Sequence, residues 1–167
     1  MDLILFIAIQ ADTTFKNHDN LSNYMDIRNA REEDIKSLEA ISKEFDFEPN
    51  RDWKGLVEDH EMFLLFDADR VVGFTGLIRH DWNNTLQISN IFVRPEYRGQ
   101  KLAQKLLNHL LDKAKETGHR CVIAEAPSNN PVVKLYETMG FRKCGYNDRH
   151  YNNSGDPMAY WMSYDLK

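Results

Sequence analysis

The stretch on which the fold turns is Leu86-Gln87-Ile88-Ser89-Asn90-Ile91-Phe92-Val93-Arg94-Pro95-Glu96-Tyr97-Arg98-Gly99-Gln100-Lys101-Leu102-Ala103. Its first eight residues read as a strand, and Pro95 stops it because proline cannot donate to a sheet ladder. Its end opens a different period. Leu102, Ala103, Leu106, Leu107, Leu110, Leu111 and Ala114 recur at intervals of three and four, the apolar stripe of an amphipathic helix. Gly118 closes that helix in the C-cap position. Between strand and helix lies a loop carrying Arg98 and Gly99. A helix amino end offers unpaired N–H groups and the positive end of the dipole, and glycine lets a ligand approach the backbone closely. A bound pyrophosphate needs both. Taken alone, the same residues are also an ordinary strand-to-helix connection.

Downstream, residues 120–126 read as a strand. A long helix separates them from the strand at 86–93, so the two are expected to be parallel neighbours in a right-handed crossover. Residues 131–139 predict a shorter helix ended by Gly140, and 141–146 and 158–166 a strand pair around a polar loop. Upstream, Ile35, Leu38, Ile41, Ser42 and Phe45 have helical spacing behind the acidic turn Glu32-Glu33-Asp34. A second helix covers 53–60. Residues 62–66 and 71–78 flank a tight turn as a hairpin, and Asn83-Asn84 turns the chain into the strand at 86–93. The fold class is α+β: a mostly antiparallel sheet with one central parallel pair and flanking helices. Residues 25–167 read as one domain. Residues 1–24 read as an extension without chemistry, either an upstream start or an added strand using Leu3, Leu5 and Ile7.

Composition narrows the function. The 167 residues hold 21 basic and 26 acidic side chains, a formal charge of −5, with 28% charged and 42% hydrophobic residues. That length and apolar share suit one core. A net negative chain is a poor partner for a polyphosphate backbone, which argues against nucleic-acid binding. The apolar run at 3–9 is too short to span a bilayer and has no basic flank, so no membrane association is expected. Cys121 and Cys144 show no metal-binding spacing, and His109, His119 and His150 are too dispersed to suggest a metal; the cytoplasm is the default compartment.

The string from Ile91 to Ala103 resembles the acetyl-CoA-binding motif of the GNAT superfamily of N-acetyltransferases. Ser128-Asn129-Asn130-Pro131-Val132-Val133-Lys134-Leu135-Tyr136-Glu137-Thr138-Met139-Gly140-Phe141 is similar to the second signature of that family. Two signatures in order, joined by a helix and a strand, are far more specific than either alone. The resemblance implies that acetyl-CoA is the acyl donor, its pantetheine arm lying as an extra strand between two diverging central strands. It implies cofactor contacts from Ile91, Phe92, Val93, Arg98, Gly99, Gln100, Lys101, Leu102, Ala103 and Asn129. It implies an oxyanion hydrogen bond from a backbone N–H near Phe92, and Tyr136 as the acid that protonates the departing sulfur. One residue departs from the family pattern: Lys101 stands where a second glycine is usual. Either it loosens the pyrophosphate cradle or its ammonium adds a charge-assisted contact.

The strand before the cofactor loop carries no acid, and Gln87 and Ser89 cannot accept a proton at neutral pH. Glu125, near the end of the neighbouring strand, is the candidate general base; a carboxylate paired with a cation, or a water chain doing its work, are the alternatives. Asp46, Phe47, Glu48, Trp53 and Glu58 on one side, and His80, Asp81, Trp82, Tyr146, Tyr151 and Tyr160 on the other, are candidates to roof the acceptor site. Acidic and aromatic groups together suit a cationic, partly apolar amine. The run 124–130 and the tail 159–164 are similar to streptothricin-type acetyltransferases, which implies a small polyamine-like acceptor. The expected reaction is acetyl transfer to a primary amine of a small molecule by direct attack in a ternary complex, in a monomer or homodimer. The alternatives are a protein or peptide N-acetyltransferase and a non-catalytic acyl-CoA sensor.

Overall fold

In a computed structural model of the chain the described residues are 25–166, so the extension read at 1–24 lies outside them. The described residues form a seven-stranded sheet flanked by four α-helices. In chain order these are β1 (Met25–Asn29), α1 (Ile35–Glu44), α2 (Trp53–Asp59), β2 (Glu61–Asp67), β3 (Arg70–His80), β4 (Thr85–Val93), α3 (Leu102–Glu116), β5 (Cys121–Pro127), α4 (Val132–Thr138), β6 (Arg142–Asn147) and β7 (Ala159–Asp165). The sheet order is β1-β2-β3-β4-β5-β7-β6. The pairings are antiparallel except β4 with β5. Both expected hairpins and the parallel crossover are present. No local feature of the sequence specifies that β7 returns beside β5 and pushes β6 to the edge.

Both faces of the sheet are covered at its centre, which is why Met62, Phe63, Leu64 and Leu65 are buried as an unbroken apolar run. On one face Phe74 and Phe92, cross-strand partners, stack at 5.1 Å, and Phe47 and Trp53 pack against Phe74. On the other, Leu65, Val72 and Val93 meet Leu102 and Leu106 of α3. Leu107, Leu110, Leu111 and Ala114 extend the stripe into the main core. Phe63 receives the His109 ring edge-on at 5.0 Å. Each buried side chain of this kind stabilises the fold by roughly 1.5–3 kcal/mol through area removed from water.

The start of α1 is fixed by charge. A single 3-10 turn, Glu32–Asp34, precedes it. The Asp34 carboxylate accepts from the Arg31 N–H at 2.8 Å and from two Arg28 guanidinium nitrogens at 2.7 and 2.9 Å. Those hydrogen bonds and the adjacent charge hold the Asp34 carboxyl below the usual carboxylate range, against a smaller opposing effect of burial. A depressed native pKa gives stability that is present above the unfolded value and lost as pH falls through the native one. We expect Asp34→Asn to cost about 1.5 kcal/mol at pH 7, the low end for hydrogen bonds to a charged group. In urea titrations across pH the gap to the wild type should close toward acid. A gap of constant size would remove the ion pair from the account.

Candidate active site

The site begins where the one parallel pair fails. Thr85, Leu86 and Gln87 pair with Cys121, Val122 and Ile123, and the register stops there. Residues 88–93 of β4 stay bonded to β3, and 124–127 of β5 stay bonded to β7. Each strand is therefore held by its outer neighbour while the facing edges part. A register shift in β4 between Ile88 and Asn90, opposite Gly76 and Leu77, lies at the point of separation. Such a bulge bends and twists its strand, which accounts for the divergence.

The opening leads to a cleft of about 260 Å³ against the start of α3. Eight of the residues expected to hold the cofactor line it: Ile91, Phe92, Val93, Arg98, Gly99, Lys101, Leu102 and Ala103. Gln100 and Asn129 do not line it and are exposed. Tyr97, Gln104, Pro131 and Leu135 line it as well. Sequence reasoning missed them, although the spacing of four between Pro131 and Leu135 places both on one face of α4.

The loop is shaped for close approach. Gly99 has φ +78°, and a Cβ there would meet no atom within 4 Å. Lys101 also adopts the left-handed conformation, φ 59° and ψ 18°, at the N-cap of α3. This is the conformation glycine takes without strain, and it gives a physical reason for the glycine usual at that point of the motif. The first intrahelical bond runs from the Lys105 N–H to the Lys101 carbonyl at 3.0 Å, so the N–H groups of Leu102, Ala103 and Gln104 have no intrahelical acceptor. Arg98 lines the cleft, its Nε donating to the Val93 carbonyl at 3.1 Å. Open N–H groups, a glycine and two cationic side chains fit the pyrophosphate of acetyl-CoA.

Arg94 anchors the other end of this loop. It is buried, donates from Nε to the Val71 carbonyl at 2.9 Å, pairs with Glu44 at 3.0 Å and stacks over Phe45.

Tyr136 and Glu125, the residues expected to act as acid and base, do not line this cleft; they belong to a second group of side chains. Tyr136 of α4 is 2% exposed and packs against Phe141 at 5.2 Å between ring centroids. Burial, with a lesser effect of Tyr151, pushes its phenol well above the ordinary tyrosine value. Tyr151 comes from the β6–β7 loop, and its hydroxyl is buried without a hydrogen-bond partner. Burial and then the negative charge of Glu125 push that phenol up too. Glu125 accepts from His150 Nε2 at 2.7 Å, and the His150 and Tyr151 rings meet edge-on at 4.6 Å. His150 had no sequence signal, since nothing in the spacing links position 150 to position 125. Asn130, beside the expected cofactor ligand Asn129, caps the start of α4 by accepting from the Val132 N–H at 2.9 Å.

The expected roof is only partly a roof. Phe47 and Trp53 are core residues, while Trp82 is 85% exposed on the turn between β3 and β4. Glu58 pairs with Lys54 on its own helix. His80 Nε2 lies 2.8 Å from Gln87 Oε1, at the zipped end of the β4–β5 pair. Asn90 is 2% exposed beside the bulge, and its carboxamide nitrogen and oxygen both lack a partner. Among the described residues no cluster of three or more His, Cys, Asp or Glu is placed to hold a metal ion.

Known proteins bear on this geometry. The model of the acetyltransferase (GNAT) family matches residues 24–141. A Bacillus subtilis protein named "Putative [ribosomal protein bS18]-alanine N-acetyltransferase" is 30% identical over 146 residues, 82% of this chain and 94% of that protein. Among solved structures, the ribosomal-protein-S18-alanine N-acetyltransferase of Escherichia coli superposes with a TM-score of 0.73 at 23% identity, covering 86% of this chain and 94% of that one. Arabidopsis thaliana NAA60 in complex with acetyl-CoA gives a TM-score of 0.70 at 21% identity, covering 84% and 98%. At these identities the two structures speak for the fold.

Lys101 supplies a direct test of the cleft. Lys101→Gly removes a left-handed lysine and is expected to raise stability by about 1 kcal/mol. It should also weaken acetyl-CoA binding several-fold, as a charge-assisted phosphate contact is lost. Calorimetry that instead found tighter binding would show that the lysine obstructs the cradle.

Proposed function

The chain belongs to the acetyltransferase (GNAT) family and is an N-acetyltransferase that draws on acetyl-CoA; from that premise we propose that it acetylates a primary amine, in the first instance of a small molecule, by direct attack in a ternary complex. The observation that carries this reading is the parted edge of β4 running into the open amino end of α3. A thioester arm laid along that edge satisfies backbone groups that no strand pairs. The donor then supplies an activated acetyl group beside β4.

In this reading Ile91 and Val93 pair with the arm, and a backbone N–H near Phe92 meets the developing oxyanion. Arg98, Gly99, Lys101, Leu102 and Ala103 cradle the phosphates, and Gln100 and Asn129, which do not line the cleft, meet parts of the cofactor outside it. Tyr136 gives its proton to the departing sulfur. A phenol is protonated at neutral pH, so the donor form is always present. The proton of the amine is taken up at the pair Glu125–His150 on the acceptor side.

A second reading is favoured by the relatives: the acceptor is an amine of a protein, since the names of the Bacillus subtilis and Escherichia coli proteins give an alanine of a ribosomal protein for those proteins. The unpartnered carboxamide of Asn90 supports it. A peptide offers both a donor and an acceptor to that group, whereas a polyamine offers chiefly donors. Both cysteines are unpaired, and no helix of the described residues is long and apolar enough to cross a membrane; we place the enzyme in the cytoplasm.

A thiol-release assay with acetyl-CoA against amines, polyamines, amino acids and peptides with free amino ends decides between acceptors. We expect Tyr136→Phe to lower kcat on the best acceptor by about 10²-fold or more. Acetyl-CoA at a hundredfold excess over its Kd should stabilise wild type and variant alike by about 2.7 kcal/mol. Full activity in Tyr136→Phe would remove the tyrosine from the reaction.

A further inference from the structure

We propose that His150 is the group that takes the proton from the acceptor ammonium, and that Glu125 acts through it as a positioning residue. This rests on the acetyltransferase reading above and assigns the half of the chemistry that β4 lacks. The strand beside the thioester carries Gln87, Ser89 and Asn90, none of which accepts a proton at neutral pH, and Gln87 is engaged with His80.

On the opposite lip a base with an orienting partner is already assembled. Glu125 Oε1 is 2.7 Å from His150 Nε2. A carboxylate there keeps the hydrogen on Nε2, so the neutral ring presents its lone pair at Nδ1. The carboxylate is thereby committed to the ring rather than free to meet the amine. The imidazole is partly exposed and packed on Tyr151, whose buried, unpartnered hydroxyl is near enough to act on the Tyr136 phenol. One loop thus brings a base into the same group of side chains as the acid.

The titratable groups that face His150 are Glu125 from β5 and Tyr151 from its own loop, with Tyr136 of α4 next to Tyr151. Arg149, the adjacent cation, is turned to Asp148.

The protons balance. The ammonium gives one proton to Nδ1 of His150 and becomes a nucleophile. Its nitrogen bonds to the acetyl carbon as the carbon–sulfur bond breaks. The sulfur takes a proton from Tyr136, the second amine proton restores Tyr136, and His150 releases its proton to solvent.

The test uses the full chain and the best acceptor from the amine panel, with kcat/KM followed from pH 5 to 10. His150→Gln keeps a donor for Glu125 but cannot take a proton. It should lose about 10²-fold in kcat/KM for the amine at pH 7, and its acid limb should then follow the titration of the amine itself. The KM for acetyl-CoA should stay within about twofold. Added imidazole should restore about tenfold of the loss in His150→Ala. Glu125→Gln should lose less, about tenfold, with the loss in kcat and the KM for acetyl-CoA within about twofold, because the base remains and only its orienting partner is gone. Wild-type rates and profile in His150→Gln, or no rescue of His150→Ala, would overturn this proposal alone. A wild type that acetylated no amine would overturn the acceptor reading with it.

Discussion

Two backbone edges that face each other and do not pair are the constraint from which the rest of the molecule follows. Unpaired N–H and C=O groups away from water carry a penalty of about 1–3 kcal/mol each, so a fold keeps them only if something else satisfies them. Here the divergence is enforced from outside. β3 holds β4, β7 holds β5, and the bulge at residues 88–90 turns β4 away just as the ladder ends. α3 fixes the angle by packing its leucine stripe under the sheet. The acyl donor, laid along β4 as we propose, would complete the ladder that the protein leaves open.

The two ends of the opening differ in charge, and each end matches what must arrive there. Toward α3 lie Arg98, Lys101 and the unpaired N–H groups of the first helical turn, a setting for an anion. Toward α4 and the β6–β7 loop lie Glu125, His150 and two buried phenols, the groups to which we assign the proton transfers. The overall charge of −5 says little about either end; the local arrangement decides.

Much of this was legible in the sequence because short-range rules set it. The stripe from Leu102 to Ala114, the acidic turn before Ile35 and the stop at Pro95 each place an element within a residue or two of its observed bounds. What was not legible depends on distance in the chain. That β7 inserts beside β5 is decided by which edge is left open after the crossover, and no local signal records it. Phe47 and Trp53 resembled pocket aromatics by composition alone. They are core because Phe74 and Phe92 leave an apolar face that these rings cover. The cofactor loop was readable down to its one irregularity, since Lys101 occupies the left-handed position for which glycine is suited. The Glu125–His150 contact was not readable, since a strand end and a distant loop meet only once the sheet is built.

The central claim is that the free edge of β4 receives the acyl donor. Amide hydrogen exchange on residues 88–93, with and without saturating acetyl-CoA, tests it most directly. The account requires added protection at Ile91 or Val93 and in the first turn of α3. Protection confined to other parts of the sheet, with the β4 edge exchanging as fast as before, would contradict it.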